Sequence, residues 1–566
     1  MSQPSTAPEF AFPEILDAVA AAIPDRDLVI FGDRRYTQRE IADRSRRLAT
    51  YLHSRGLGVH TDRAELSGDQ TGQDLVGLYA YNGNEYVESM HAAFRARVAP
   101  FNVNYRYVKS ELEYLLNDAA PTALIYHATF APTLAEVLPR VPSLKVLIQI
   151  ADDSGNALLD GAVDYEQVID GTEPGPSAVA GSEASGTHPD RHPSPDDLYV
   201  VYTGGTTGMP KGVLWRQHDI FMGACGGRNV YTSEAVTSIA EIAERAGGGG
   251  ALKVFVVPPL IHAAAQWAAL TASTSGQTLV FSDVPERLDP AAIAATIEKE
   301  QPTVLMVVGD AIARPLLAEF EKGERDVSSI KIFANGGAVL SPQIKERALE
   351  IFDGAIVMDG TGSSETGAQM THVSTAGAVS TGTFNAGSNT TVVTEDLTGE
   401  TIAGDGHIGW LAQRGHVPLG YKGDPAKTAK TFPVVAGTRY ALPGDRAERL
   451  ADNTIRLLGR DSQTINSGGE KIFAEEVELA IASHPAVADV LVTARPSERW
   501  GNEVVAIIET LDGAEVSEDD LLEHAATAIA RYKLPKAFLF RPQIQRSPVG
   551  KADYRWAREQ ATLSLD

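Results

Sequence analysis

The sequence has few of the features that mark secreted, metal-clustered or membrane proteins. Cys225 is its only cysteine, which excludes an intrachain disulfide and a cysteine-based metal cluster. Its apolar stretches are all shorter than a membrane span, and the first residues contain no basic segment followed by an apolar one. These absences predict a cytoplasmic protein without an integral membrane segment.

Basic side chains are also scarce relative to acidic ones. The chain has 49 Lys and Arg against 74 Asp and Glu, a formal net charge of −25, and no dense basic run offsets this charge locally. Nucleic-acid phosphates would be repelled at long range, so we expect no nucleic-acid partner. A polyanionic ligand must instead be held by a few placed cations and backbone amides.

The length of 566 residues predicts at least two domains. Short β-branched or aromatic runs, such as Val76–Tyr79 and Thr278–Phe281, alternate with segments of helical period, which predicts an α/β fold with mostly buried strands. The glycine-rich stretch Ala246–Gly250 is expected to be a mobile insertion. We place the domains at residues 1–459 and 460–566, where the pattern changes to a compact α/β unit.

A phosphate-binding loop is the clearest single motif. It follows a strand-like run and reads Thr203-Gly204-Gly205-Thr206-Thr207-Gly208-Met209-Pro210-Lys211-Gly212. Glycines let backbone amides approach a polyanion, threonine hydroxyls donate to its oxygens, and Lys211 adds a cation. A Walker A loop is not supported, because that motif has Gly where Pro210 stands. The alternative is a flexible turn after a strand.

This loop resembles the signature of the adenylate-forming enzymes, which include acyl-CoA synthetases, luciferases and peptide-synthetase adenylation domains. The resemblance extends from about Tyr36 to Lys551, with the motifs in the family's order. It implies a large N-terminal adenylation domain of several sheets and helices, a small mobile α/β C-terminal domain, and the use of ATP, Mg²⁺ and coenzyme A. Gly204 departs from the family's usual serine, so one hydroxyl donor is missing.

Three later motifs resemble the family's nucleotide site. Gly336-Gly337-Ala338 would lie against the adenine, and the carboxylate of Asp445 would accept both ribose hydroxyls. The third motif, Asp359-Gly360-Thr361-Gly362-Ser363-Ser364-Glu365, would supply a hydroxyl to phosphate and a carboxylate to Mg²⁺, which prefers oxygen ligands. Here Thr361 replaces the family's tyrosine, and Ser364 its threonine. The resemblance therefore makes Glu365 a metal candidate, together with Thr206 of the phosphate-binding loop.

The C-terminal motifs resemble the family's hinge and its last signature. Arg460 would reach the ribose or a phosphate, Ser462 would be the pivot, and Gly468 and Gly469 follow it. Lys551 would enter the active site during adenylation, which completes a catalytic set with Thr206 and Glu365. The alternatives are a surface ion pair for Arg460 and a solvated side chain for Lys551.

The acyl pocket is expected at His262, Ala264 and Gly309. The resemblance places His262 beside the carboxylate and small side chains along the pocket. At a finer level, Tyr202–Trp215, Gly309–Pro315 and Gly550–Trp556 resemble the steroid side-chain acyl-CoA ligases of sterol-degrading bacteria. The expected acid is therefore a steroid with a carboxylated side chain, or a long-chain fatty acid.

The resemblance implies an ATP-dependent acyl-CoA ligase that releases AMP and pyrophosphate. Its partners would be a carboxylic acid, ATP and coenzyme A, and the sequence is also compatible with a homodimer. The alternatives are a ligase that loads a carrier protein, a luciferase-type oxygenase, and a non-catalytic acyl or nucleotide sensor. We expect no carrier domain after Lys551, and Lys551, Glu365 and Asp445 argue against a sensor.

Overall fold

The computed structural model describes residues 8–178, 192–203, 209–228, 234–248, 252–467, 470–547 and 551–563. The chain divides into two compact units. The first contains Met1–Met306, Ser364–Ala368 and His416–Phe432; the second contains Val307–Ser363, Gln369–Gly415 and Pro433–Asp566. The domain boundary between residues 459 and 460 stays a prediction.

The α-helices follow the segments of helical period. In chain order they are α1 (Phe12–Ala22), α2 (Gln38–Ser54), α3 (Asn84–Arg95), α4 (Lys109–Ala119), α5 (Ala131–Val137), α6 (Tyr165–Gly171), α7 (Gln217–Ala224), α8 (Ile239–Gly248), α9 (Ala263–Ser275), α10 (Pro290–Glu300), α11 (Gly309–Phe320), α12 (Pro342–Ile351), α13 (Pro425–Thr431), α14 (Ala474–Ala482), α15 (Glu518–Ala525) and α16 (Tyr554–Leu563). None of these described helices is long and apolar enough to cross a membrane.

The strands are mostly short. In chain order they are β1 (Asp27–Phe31), β2 (Arg34–Thr37), β3 (Leu75–Tyr79), β4 (Ala99–Asn102), β5 (Ala123–His127), β6 (Val146–Ile150), β7 (Ala162–Asp164), β8 (Leu198–Thr203), β9 (Lys211–Arg216), β10 (Lys253–Val256), β11 (Thr278–Phe281), β12 (Val304–Val307), β13 (Ile332–Gly336), β14 (Ile356–Ser363), β15 (Gly367–Ser374), β16 (Thr383–Ala386), β17 (Thr390–Val393), β18 (Ile408–Arg414), β19 (Gly420–Tyr421), β20 (Val434–Val435), β21 (Thr438–Ala441), β22 (Asp445–Arg449), β23 (Thr454–Arg460), β24 (Thr464–Ser467), β25 (Glu470–Phe473), β26 (Val487–Ser497), β27 (Gly501–Thr510) and β28 (Ala537–Phe540).

The first unit is built on an eight-stranded sheet of order β19-β9-β8-β4-β3-β5-β6-β7. Strands β4, β3, β5 and β6 are parallel, whereas β8 and β9 form an antiparallel hairpin. The central strand β3 is buried along its whole length, and Phe101, Leu124 and Val200 pack in the same core. The sequences of such strands are continuously apolar because helices cover both faces of a parallel sheet.

The second unit pairs β13 with β14 in parallel and carries an antiparallel series β16-β23-β22-β18-β21-β20. Its C-terminal part has the sheet β26-β27-β28 against α14, with Val477, Ile481 and Ile508 in the core. The predicted α/β fold is confirmed. The predicted insertion at Ala246–Gly250 is wrong for residues 246–248, because α8 continues through Gly248 and buries Ala246.

Candidate active site

The hairpin β8/β9 brings the two ends of the predicted phosphate loop together. Thr203, the last residue of β8, pairs in register with Lys211, the first residue of β9. Gly204, Gly205, Thr206, Thr207 and Gly208 lie outside the described residues. The flanking strands nevertheless fix where the loop begins and ends.

Lys211 forms an ion pair that the sequence did not indicate. Its Nζ lies 2.9 Å from Oδ2 of Asp424, which follows strand β19. The hydrogen bond raises the pKa of Lys211 and is the main reason that the pKa of Asp424 is lowered. Both groups are therefore charged at neutral pH. A bound triphosphate would meet a cation that already has a carboxylate partner.

Glu365, the metal candidate, lies in the turn between β14 and β15, and its side chain is half-buried. The hydroxyl of Tyr421 on β19 donates to Glu365 Oε1 at 2.7 Å. The indole N–H of the buried Trp215 on β9 donates to the carbonyl of Ser364 at 2.8 Å. Two aromatic donors thus hold this turn.

Lys211 and Glu365 are positioned by one short segment, Gly420–Asp424. Its strand pairs with β9 through Gly420 and Leu214, and through Tyr421 and Val213. Asp424 contacts the lysine, and Tyr421 contacts the glutamate. The same segment therefore contacts Lys211, which the sequence predicts to bind phosphate, and Glu365, which it predicts to bind a metal ion.

The acyl-pocket candidates His262 and Ala264 lie at the start of α9, where His262 is the N-cap residue and both side chains are half-buried. The buried amide of Asn102 donates to the carbonyls of Tyr202, at 2.8 Å, and Ile261, at 2.7 Å. It also accepts from the backbone N–H of Tyr202 at 2.9 Å. Asn102 therefore ties the end of the phosphate strand to the start of α9.

In the second unit, the side chain of Asn335 connects the pocket candidate Gly309 with the nucleotide candidates Ala338 and Asp359. Asn335 is buried at the end of β13, opposite Asp359 on β14, and Gly336 pairs with Gly360. Its Nδ2 donates to Asp359 Oδ1 at 2.9 Å and to the carbonyl of Ala338 at 3.0 Å. Its Oδ1 accepts from the backbone N–H of Gly309 at 2.7 Å.

Gly309 is small for a different reason from the one expected. Its φ is +59°, and a Cβ there would lie 2.8 Å from Ala338 Cβ and 2.9 Å from the carbonyl oxygen of Val339. The space beside Gly309 is thus filled by the turn that follows β13. Packing between this turn and the start of α11, together with the left-handed backbone, requires the glycine.

Asp445 and Arg460 face each other across strands β22 and β23. Arg460 Nε lies 2.8 Å from Asp445 Oδ1. The backbone N–H of Arg460 donates to Oε1 of the half-buried Glu475 at 3.4 Å, and burial followed by the charge of Asp445 raises the pKa of Glu475. The ion pair that was the alternative role for Arg460 is therefore present, and it joins two residues expected at the ribose.

The hinge and last-signature candidates are both exposed. Ser462 lies in the 3₁₀ turn Asp461–Gln463 that follows β23. Lys551 precedes α16, and its carbonyl accepts from the N–H of Ser547 at 2.8 Å. Gly468 and Gly469 lie outside the described residues.

His218, Asp219 and His416 form a cluster that the sequence did not indicate. His416 Nδ1 lies 2.9 Å from Asp219 Oδ1, while His218 Nδ1 accepts from the N–H of Phe10 at 3.2 Å. That bond occupies one lone pair, and in a neutral ring the other nitrogen then carries the proton. His218 is therefore poorly suited to bind a metal ion, and the contact between His416 and Asp219 is an ordinary hydrogen bond between α7 and the segment before β19.

Comparison with known proteins identifies the family independently of the geometry of the site. The family model AMP-binding enzyme matches residues 16–421, and AMP-binding enzyme C-terminal domain matches residues 476–551. The medium-chain acyl-CoA ligase Mig of Mycobacterium avium is 63% identical over 561 residues, covering 99% of this chain and 100% of the relative. A 3-oxocholest-4-en-26-oate–CoA ligase of Rhodococcus rhodochrous is 37% identical, with 97% and 96% covered.

The structure of the anthranilate CoA ligase AuaEII in complex with anthranoyl-AMP matches with a TM-score of 0.80 and 20% identity, and 100% of each chain is covered. At this identity the likeness concerns the fold alone. It agrees with the α/β architecture described above.

Proposed function

Because the chain belongs to the AMP-binding enzyme family, we propose that it is an ATP-dependent acyl-CoA ligase whose acid has a medium or long apolar chain. The 63% identity to a medium-chain acyl-CoA ligase supports the ligase activity. The observation in the structure that carries the proposal is the support that Gly420–Asp424 gives to both Lys211 and Glu365. Phosphate chemistry needs a cation and a metal-binding carboxylate near the same loop.

Glu365 and Thr206 would hold Mg²⁺. A half-buried carboxylate, oriented by a phenolic hydrogen bond, is the hard oxygen ligand that this ion prefers, so Glu365 fits. When bound, Mg²⁺ supplies positive charge beside the phosphate oxygens. Lys211 would add charge at the loop, and the carboxylate of Asp445 would accept the ribose hydroxyls.

The first half-reaction follows from charge. The carboxylate oxygen of the acid attacks the α-phosphorus of ATP, a new C–O–P linkage forms, and pyrophosphate leaves with the electron pair of the broken P–O bond. The growing negative charge would be met by Lys211 and Lys551. In the second half-reaction the thiolate of coenzyme A attacks the acyl carbon, a thioester forms, and AMP leaves. We propose that residues 460–566 move about Ser462 between the two steps.

Fatty acids and steroid acids are the two candidate classes of substrate, and they differ in size. The 63% identical relative is named for medium-chain acids, whereas the relative at 37% identity is named for a steroid acid. We therefore place a fatty acid first and a steroid acid second. Burial of each CH₂ contributes about 0.8 kcal/mol, so either class should exceed acetate in kcat/KM by many-fold.

A panel of acids tests the proposal. Purified enzyme with ATP and coenzyme A should convert octanoate or palmitate faster than acetate or benzoate, as measured by acyl-CoA formation. Ala264→Trp should suppress the longest acids most, while Ala291→Trp, at an exposed position of α10, should change none of them. A preference for acetate or benzoate would overturn the apolar acid and leave the ligase activity standing.

The runner-up is a ligase that passes the adenylate to a carrier protein. It would exchange pyrophosphate into ATP with an acid present, yet form no thioester with coenzyme A. A nucleotide sensor would show neither reaction. Pyrophosphate exchange and thioester formation, measured on the same preparation, therefore separate the three possibilities.

A further inference from the structure

The side-chain amide of Asn335 forms three hydrogen bonds, each to a different segment of the chain. It is 7% exposed, and its partners are the N–H of Gly309, the carbonyl of Ala338 and the carboxylate of Asp359. The N–H of Gly309 can only donate, whereas the carbonyl of Ala338 and the carboxylate of Asp359 both accept. Their chemistry fixes which end of the amide carries the nitrogen.

No other side chain of this size fits the same three partners. A carboxylate could accept from Gly309, but it would face the Ala338 carbonyl and the Asp359 carboxylate without a proton to donate. A hydroxyl has a single proton and could serve only one of the two acceptors. Asp359 is itself held on its far side by the buried Lys345, so it cannot turn away without loss of an ion pair.

The three segments carry different predicted tasks. Gly309 begins α11 and is a candidate for the acyl pocket. Ala338 belongs to the turn expected against the adenine, and Asp359 ends the buried part of β14 beside it. The segments of Gly309 and Ala338 lie so close that a Cβ at Gly309 would come within 2.8 Å of Ala338 Cβ.

We propose that Asn335 is a positioning residue that couples recognition of the acid to recognition of ATP. The inference rests on the proposed function, because it takes the tasks of the three segments from there. A change at Asn335 should therefore weaken both substrates together, whereas a change at a residue that serves one segment should weaken one.

The sharpest variant is Asn335→Asp, which keeps the size and the acceptor for Gly309 but removes the donor. At about pH 7.5 we expect the KM values for ATP and for the acid each to rise about tenfold, the effect of one lost hydrogen bond to a charged group. A proton shared between the new carboxyl and Asp359 would restore a donor. The ratio of variant to wild-type kcat/KM should therefore increase severalfold at about pH 5.5.

Other charged groups face this position, so each pH is compared with the wild type. They are Lys345 on α12, His372 on β15, whose pKa is lowered by burial and by Lys345, and Asp310 on α11, which accepts from the N–H of Ser341. All of them are shared by the two proteins. Their own titration therefore cancels from the ratio to first order.

Two further variants separate positioning from folding. Asn335→Asp combined with Asp359→Asn restores one donor and one acceptor in reversed order and keeps one carboxylate in the neighbourhood of Lys345, so it should recover part of both KM values at about pH 7.5. Gln413→Glu is the matched control, because Gln413 is a buried amide of the same unit that accepts from Thr390 at 2.7 Å. It should lower the melting temperature and leave both KM values unchanged.

A second readout needs no turnover: calorimetry of ATP binding to each variant without acid or coenzyme A. Weaker ATP binding in Asn335→Asp, with joint KM effects and recovery at low pH, would support the inference. An unchanged ATP Kd, or a rise in only one KM, would overturn it. If the wild type formed no acyl-CoA with any acid, the proposed function would fall, and the ATP Kd alone would then judge the role of Asn335.

Discussion

The hydroxyl of Tyr421 donates a hydrogen bond to Glu365 Oε1 across 2.7 Å. If Glu365 binds Mg²⁺, this bond orients the metal-binding carboxylate. Tyr421→Phe removes the donor and little else, so the Mg²⁺ concentration that gives half-maximal rate should rise about tenfold, the scale of one hydrogen bond to a charged group. Mg²⁺ titration of acyl-CoA formation measures it.

Tyr440→Phe is the control for that experiment. Tyr440 donates to Glu400 Oε1 at 2.8 Å, so the same chemistry is removed at residues with no predicted part in the site. Its Mg²⁺ titration should match the wild type. A wild-type titration in Tyr421→Phe as well would remove Glu365 from the metal site.

Asp445 is expected to accept the ribose hydroxyls, and it already pairs with Arg460 at 2.8 Å. Asp445→Ala should therefore raise the KM for ATP about tenfold or more and change the KM for the acid little. Glu448→Ala breaks another cross-strand ion pair of the same two strands, with Arg456, and should leave both KM values alone. Equal effects of the two variants would reduce Asp445 to a structural ion pair.

Lys551 is expected to serve only the first half-reaction. Lys551→Ala should abolish pyrophosphate exchange, while supplied acyl-adenylate is still converted to acyl-CoA at nearly the wild-type rate. Lys536→Ala, at another exposed lysine of the C-terminal region, should affect neither step. Loss of both half-reactions together in Lys551→Ala would contradict this division of labour.

Ser462→Pro should show the opposite pattern. Proline fixes φ, so it would restrict rotation within the exposed turn Asp461–Gln463. Adenylation should persist and transfer to coenzyme A should fail. Normal rates of both steps would place the pivot at another residue.

Glu478 should make the stability depend on pH. Burial raises its pKa from 4.5 to about 8, while its Oε1 accepts from the N–H of Val492 at 2.8 Å. Because the folded protein holds this proton more tightly than the unfolded chain, the contribution of Glu478 to the free energy of unfolding is fully present below about pH 4.5. It is lost as the pH rises through about 8.

Glu478→Gln keeps an acceptor and does not ionise, so its melting temperature should exceed that of the wild type increasingly between about pH 5 and pH 9. The exposed Glu523→Gln on α15 is the control. Calorimetric melting curves at fixed ionic strength measure the difference. A constant difference across this range would refute the raised pKa.

The sequence predicted those parts of the site that are local in the chain. Thr203 and Lys211 flank a loop of glycine and threonine, and the structure places them in register at the ends of a hairpin. Gly336 likewise ends β13 and pairs with Gly360 within the neighbouring parallel strand β14. Apolar runs bounded by glycines are enough to locate such positions.

The supports of the site could not be predicted in the same way. Tyr421 lies 56 residues from Glu365, and Asp424 lies 213 residues from Lys211. A tyrosine and an aspartate in a short polar run are typical of any surface turn, and no periodicity links them to their partners. Only the pairing of β19 with β9 brings them to the site.

The most direct test of the central claim follows one oxygen atom. The acid labelled with ¹⁸O in its carboxylate is incubated with ATP, coenzyme A and excess enzyme, and the products are analysed by mass spectrometry. Attack of the carboxylate on the α-phosphorus predicts AMP that carries one ¹⁸O, with the other retained in the thioester carbonyl. Unlabelled AMP, or ¹⁸O in inorganic phosphate together with ADP, would contradict the acyl-adenylate route.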